Sequence, residues 1–100
     1  MTEYPHLTLL DHAVAHDALA ELRDAATPPA RFAARAHQLG LLVAAEATRT
    51  LPTTPVEVTT PLETMEGARL AGAAPVIVPI LRAGLGMVEA VRSLVPEAVV

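Results

Sequence analysis

The stretch that decides the fold is Ala74-Pro75-Val76-Ile77-Val78-Pro79-Ile80-Leu81-Arg82-Ala83-Gly84-Leu85-Gly86-Met87. Its apolar run predicts a short buried strand over 76–81, which ends in a glycine-bearing turn before an amphipathic helix over 87–95. Backbone N–H groups of such a turn and the positive end of the helix dipole point at one small volume. Arg82 adds a planar, permanently charged set of donors there. The stretch therefore predicts a binding site for phosphate or pyrophosphate.

Prolines and glycines set the details of this site. Pro79 removes a donor from the ladder, so either the strand bulges there or the ladder ends near Val78. Gly84 and Gly86 permit a positive φ or a close backbone approach to a ligand, and glycines are also ordinary turn residues.

Residues 97–100 look like the opening of another strand. A strand, a loop, a helix and a second strand predict a right-handed parallel crossover. Parallel sheets are covered by helices on both faces. We therefore expect an α/β fold, in which residues 1–100 are the front portion of one larger domain that is truncated at Val100 and leaves an apolar edge exposed.

The N-terminal part reads as an arm followed by helices. Residues 1–10 form an arm that packs on a partner subunit or frays. Within 11–50 the first of two helices is capped by Asp11 and runs to about Ala26. Its outward face carries Asp17, Glu21 and Asp24. His12 and His16 have a spacing that can bind zinc, but no Cys or Glu completes a site, so they are interpreted as surface histidines.

The second helix spans about 28–50, with Thr27 as its cap and proline in its first turn. Its polar side carries Arg31, Arg35 and Gln38. Gly40 either weakens the helix or lets a neighbour approach. Glu46 and Arg49 have the spacing of an i,i+3 ion pair, and the alternative is an acid directed toward a subunit contact.

Residues 51–100 are expected to begin the sheet and to carry the pyrophosphate loop. Prolines exclude helix from 51–61, where Val56–Thr59 alternates like an edge strand. The segment 63–73 is ambiguous, with a turn at Glu66-Gly67 followed by a short strand or coil.

Composition excludes several classes of function. The formal net charge of −4 argues against sequence-independent binding of nucleic acid. All seven basic residues are arginines, so a Schiff-base lysine and a P-loop lysine are both excluded. The absence of cysteine fits a reducing compartment. No apolar run approaches the roughly 20 residues of a membrane span, and no signal peptide opens the chain. A cytoplasmic protein without membrane partners is the expectation.

Four segments resemble the uracil phosphoribosyltransferase family, over about residues 16–100. The run Val78–Met87 is similar to the signature loop of that family. The other segments follow in family order: Arg23-Asp24 with Thr27 and Phe32, then Glu46-Ala47-Thr48-Arg49, then Val56-Glu57-Val58-Thr59-Thr60-Pro61-Leu62.

The resemblance implies a type I phosphoribosyltransferase fold. It implies the reaction of uracil with 5-phosphoribosyl 1-pyrophosphate (PRPP) and Mg²⁺ to give UMP and pyrophosphate. Arg82 would contact PRPP, while Ala83, Gly84 and Gly86 would shape the loop. No catalytic nucleophile and no metal ligand is assigned to these residues. The resemblance further implies a homodimer or higher homo-oligomer, and it is compatible with GTP binding.

Some features of the family have no counterpart in these 100 residues. They are a second donor-binding arginine, the acidic pair before a Gly-rich loop, and the segment that recognises uracil. Because these belong beyond Val100, we expect the chain alone to be inactive. Three alternatives stay open: a non-catalytic oligomerisation or interaction piece, a related transferase for another base, and an unrelated phosphate-binding α/β domain.

Overall fold

Three helices and two strands make up the regular structure of the computed structural model, which describes residues 4–81 and 84–100. In chain order they are α1 (Ala13–Arg23), α2 (Pro29–Thr48), β1 (Thr53–Thr59), β2 (Thr64–Leu70) and α3 (Leu85–Leu94). Helix α2 packs against both α1 and α3, and β1 and β2 form a hairpin. Within the described ranges, no helix has both the length and the apolar character needed to cross a bilayer.

The cap of α1 is His12 and not Asp11. The Val14 N–H donates to Nδ1 of His12 at 3.0 Å, and His12 has the extended backbone of an N-cap residue. The carboxylate of Asp11 lies one residue too early and instead accepts from Nε2 of His16 at 2.9 Å. The helix ends at Arg23, before the predicted Ala26, because the Asp24 side chain accepts from the Ala26 N–H in a turn.

The cap predicted for α2 is also wrong. The Thr27 hydroxyl donates to the carbonyl of Glu21 at 2.6 Å and so fastens the inter-helix turn to α1. Pro28 takes the N-cap position without a side-chain hydrogen bond, and Pro29 opens the helix as the proline preference predicts. The helix ends at Thr48, two residues short of the predicted end.

The core is built from small side chains. Its buried apolar residues are Ala15, Ala18, Ala44, Ala90, Val95 and Ala98. Helices α2 and α3 meet at Gly40, where an added Cβ would lie 2.9 Å from Cβ of Ala90. Gly40 therefore permits the close approach of a neighbour, which was one of the two predicted roles.

Gly40→Ala is expected to lower the free energy of unfolding by about 1 kcal/mol, although alanine is the better helix former. Overpacking against Ala90 lowers the free energy of unfolding by about 1–3 kcal/mol. The better helix propensity of alanine offsets about 1 kcal/mol of this loss. Urea unfolding followed by circular dichroism measures the difference, with Ala45→Gly at an exposed site of α2 as the control for propensity. A Gly40→Ala chain that is more stable than the parent would contradict this packing.

Polar side chains join α1 to α2 through Arg35. Its guanidinium donates to Oε1 of Glu21 at 2.6 Å, to Oδ2 of Asp17 at 2.8 Å and to Oε1 of Gln38 at 2.7 Å. Nε of Arg31 donates to the same Glu21 oxygen at 2.7 Å. Asp17 and Glu21 were predicted to face outward, but both reach α2, and the Glu21 side chain is only 29% exposed.

These contacts make stability depend on pH. The hydrogen bond from Arg35 lowers the pKa of Glu21 below its ordinary 4.5, burial opposes this shift, and Arg31 adds to the lowering. A carboxyl whose pKa is lower when folded stabilises the protein above its unfolded pKa and loses that effect as the pH falls through the folded value.

We therefore expect the free energy of unfolding to fall as the pH drops from about 5 toward 3, where such a carboxyl takes up its proton. Glu21→Gln should flatten this dependence, because its side chain does not titrate. Urea midpoints at pH 3, 4, 5 and 7 test it, with exposed Glu57→Gln as the control. Equal slopes in the Glu21→Gln and parent chains would show that Glu21 does not carry the effect.

The hairpin differs from its prediction. The strands pair antiparallel with Val56 opposite Gly67, so the turn predicted at Glu66-Gly67 is wrong. The chain reverses between Thr60 and Glu63 instead, where the Thr60 hydroxyl accepts from the N–H groups of Leu62 and Glu63. Gly67 lies within β2, and the position suits glycine because an added Cβ would lie 2.9 Å from the Val58 side chain.

The strand predicted over 76–81 is reduced to one parallel bridge between Val76 and Val99. The Val99 N–H donates to the carbonyl of Pro75 at 2.8 Å, and the Ile77 N–H donates to that of Val99 at 2.6 Å. Among the described residues the only sheet is the antiparallel hairpin, so the expected parallel sheet is not formed here. Pro79 has no N–H to continue the ladder. The bridge does have the parallel direction that the crossover requires.

Candidate functional site

The predicted pyrophosphate loop joins the Val76 bridge to α3. The Gly84 N–H donates to the carbonyl of Ile80 at 2.7 Å, and this hydrogen bond closes the turn that ends at Gly84. Arg82 and Ala83, predicted to contact PRPP and to shape the loop, lie outside the described residues. The structure thus describes the residues on either side of Arg82 and Ala83, and the role of Arg82 stays a prediction.

Gly84 and Gly86 differ in their surroundings. At Gly84, with φ of −66°, an added Cβ would lie 2.6 Å from the carbonyl oxygen and 2.7 Å from the nitrogen of Ile80. The lack of a side chain at Gly84 therefore lets its backbone lie close to the backbone of Ile80. A positive φ is not the reason for glycine at this position. At Gly86 an added Cβ would meet nothing within 4 Å, so open space adjoins the first turn of α3.

The start of α3 suits an anion. Gly84 is its N-cap and supplies no side-chain hydrogen bond to the first N–H groups. The Met87 N–H donates to the carbonyl of Gly84 at 3.1 Å, and the first N–H groups together carry the positive end of the helix dipole. The first turn of α3 contains no acidic residue that would repel a phosphate. The helix starts at Leu85, two residues earlier than predicted, which places this end directly after the turn.

An apolar cavity of about 300 Å³ lies beside the turn. It is lined by Ile77, Val78, Pro79, Ile80, Gly84, Met87, Val88 and Val91. Its lining carries no charged side chain, so the cavity itself offers no charge that would attract a phosphate.

The other candidates from the sequence have structural roles. Nε of Arg49 lies 3.4 Å from Oε1 of Glu46, which confirms the i,i+3 ion pair. His12 caps α1, and His16 pairs with Asp11. Across residues 4–81 and 84–100, no three His, Cys, Asp or Glu side chains cluster as metal ligands.

One family profile and two similar proteins carry the same description. The profile of the family described as uracil phosphoribosyltransferase matches residues 9–100. A uracil phosphoribosyltransferase of Symbiobacterium thermophilum is 43% identical over 92 residues, which are 92% of this chain and 44% of that protein. One from Staphylococcus haemolyticus is 46% identical over 90 residues, covering 90% of this chain and 43% of that protein.

A solved structure has a similar backbone. The AQ2163 protein of Aquifex aeolicus matches with a TM-score of 0.79 and 27% identity, over 92% of this chain and 44% of that one. The chain thus spans less than half the length of the relatives that it matches. Because the profile covers nearly all of the sequence, the chain belongs to the uracil phosphoribosyltransferase family.

Proposed function

We propose that this chain supplies the pyrophosphate-binding part of a uracil phosphoribosyltransferase, which converts uracil and PRPP to UMP and pyrophosphate. The observation that carries the proposal is the family match over residues 9–100, which includes the whole loop. The start of α3 has no side-chain cap and follows Arg82 closely in sequence, which supports an anion as the ligand.

In the proposed reaction, N1 of uracil bonds to C1′ of the ribose and releases its proton to solvent, while the bond from C1′ to the pyrophosphate oxygen breaks and its electron pair leaves with pyrophosphate. Positive charge develops on the ribose, and negative charge develops on the departing pyrophosphate. Arg82 and the N–H groups after Gly84 would stabilise the negative charge, which is the main contribution expected of prearranged donors. Mg²⁺ would arrive bound to PRPP, since such ions are commonly held by substrate phosphates.

The reaction is tested by UMP formation from labelled uracil, PRPP and Mg²⁺. The chain alone is expected to form none, because it carries only the pyrophosphate end of the site. Mixed with the portion of the Symbiobacterium relative that lies outside the match, it should form UMP. Turnover by the chain alone would refute the first expectation, and product from another base but not from uracil would assign it to a related transferase.

Pyrophosphate binding separates this proposal from a non-catalytic assembly role. A chain that binds Mg²⁺-pyrophosphate with salt-sensitive affinity supports the transferase, because the attraction is largely electrostatic. A chain that binds none favours the interaction piece. We also propose a cytoplasmic homodimer or larger homo-oligomer, with GTP as a candidate effector. Sedimentation with and without GTP tests the assembly.

A further inference from the structure

The contact between Gly40 of α2 and Ala90 of α3 leaves no room for a further carbon atom. Both residues are buried, and Ala90 is 0% exposed. A Cβ added at Gly40 would lie 2.9 Å from the Cβ of Ala90. The Cβ of alanine is fixed to the backbone and cannot rotate away, so one of the two helices would have to move. A displacement of roughly 0.6 to 1.1 Å would restore the ordinary carbon contact of about 3.5–4.0 Å.

The displacement is expected to fall on α3, because α2 is held by α1. The guanidinium of Arg35, on α2, donates to Oε1 of Glu21, on α1, at 2.6 Å. Helix α3 instead adjoins the apolar cavity of about 300 Å³, to whose lining it contributes Met87 and Val91. A movement of α2 would disturb the hydrogen bond to α1, whereas the space beside α3 can accept a small shift.

A movement of α3 would reach the start of the helix, where pyrophosphate is proposed to bind. Ala90 lies six residues after the N-cap residue Gly84, which is about 9 Å along an α-helix. Hydrogen bonds between successive turns make so short a helix move as one body. Because the Gly84 N–H donates to the carbonyl of Ile80 at 2.7 Å, a shifted first turn would stretch or open that hydrogen bond. The N–H groups at the start of α3 would then be misplaced.

We propose that Gly40 is a positioning residue for pyrophosphate binding. It sets the place of the first N–H groups of α3 through its contact with Ale90-free space at Ala90, and as a buried residue of α2 it acts without touching the ligand. The inference rests on the proposed function. It deepens that function by naming a residue outside the loop on which binding of pyrophosphate depends.

Exchanging the two contacting residues tests the proposal. Gly40→Ala alone adds a methyl group at the contact, while Gly40→Ala combined with Ala90→Gly moves the existing methyl group from α3 to α2. Among the described residues beyond the adjacent turns of α2, only the Cβ of Ala90 lies within 4 Å of the added Cβ, so the double variant has room for it. Ala18→Gly is the control for lost stability, because it removes a buried methyl group and lowers helix propensity in α1.

Two measurements follow the effect in the 100-residue chain. Titration calorimetry gives the affinity for Mg²⁺-pyrophosphate, and the NMR amide signals of Gly84 and Gly86 report the start of α3. We expect Gly40→Ala to bind about 5- to 20-fold more weakly, since a misplacement of about 1 Å at a prearranged site can cost on the order of 100-fold in rate. Both glycine signals should shift in this variant. The double variant should regain the parental affinity and signals, and Ala18→Gly should bind like the parent.

The outcomes separate this inference from the proposed function. Parental affinity in Gly40→Ala, or weaker binding without a shift of the two glycine signals, would overturn the inference and leave the proposed function standing. Equal weakening by Ala18→Gly, or no recovery in the double variant, would assign the effect to a general loss of stability and also overturn it. A parent chain that binds no pyrophosphate would overturn the proposed function and the inference together.

Discussion

Arg82→Ala is expected to weaken binding of Mg²⁺-pyrophosphate by this chain about 10- to 100-fold, which corresponds to the roughly 1.5–3 kcal/mol of a hydrogen bond to a charged group. Arginine presents a planar fork to phosphate oxygens, and the loop offers no lysine that could replace it, since all basic residues of the chain are arginines. Titration calorimetry at two salt concentrations measures the affinity and its dependence on ionic strength.

The matched control is Arg92→Ala. Arg92 lies in the last turn of α3, at the opposite end from the loop, and its loss changes the net charge equally. If the general charge of the chain held pyrophosphate, both variants would weaken binding to the same degree. That result would contradict the assignment of the ligand to the loop.

Gly84→Ala is expected to lower the free energy of unfolding by about 2 kcal/mol, within the 1–3 kcal/mol typical of overpacking. The added Cβ would meet the carbonyl oxygen and the nitrogen of Ile80 at 2.6 and 2.7 Å. Both are backbone atoms and cannot rotate away, so the 2.7 Å hydrogen bond that closes the turn must open. Urea unfolding measures the loss of stability.

Gly86→Ala makes the same chemical change two residues later, where an added Cβ would meet nothing within 4 Å. This variant should keep the parental stability or gain up to about 1 kcal/mol from helix propensity. Equal destabilisation by the two substitutions would show that the contact with Ile80 is not the cause. Pyrophosphate titration of both variants shows whether the closed turn is also needed for binding.

Local sequence signals predicted much of the helical structure. Proline at the start of α2 and the spacing of apolar residues located both N-terminal helices to within a few residues. The caps were misassigned because Asp11, His12 and Thr27 all have side chains that can accept a hydrogen bond, and the backbone conformation decides which one does so. The hairpin turn was misplaced because Gly67 resembles a turn residue, while its actual constraint is the Val58 side chain on the other strand.

Contacts between distant residues were not predictable in this way. Glu21 and Arg35 are fourteen positions apart, and neither spacing nor charge pattern shows that they meet. At the candidate site, the sequence predicted the loop and an anionic ligand, but not the closure of Gly84 onto Ile80. A glycine requirement of this kind arises from the path of the backbone, which the side-chain pattern does not record.

The parallel bridge between Val76 and Val99 has a consequence for the order of folding. The hairpin and the α1–α2 pair join segments that are neighbours in sequence, so little chain entropy is lost when they form. The bridge joins Val76 to Val99, so it can close only after the loop and α3 between them have folded back. Few hydrogen bonds form when it closes. We therefore expect the helical pair and the hairpin to form first and the pyrophosphate loop to be shaped last, at the slowest step.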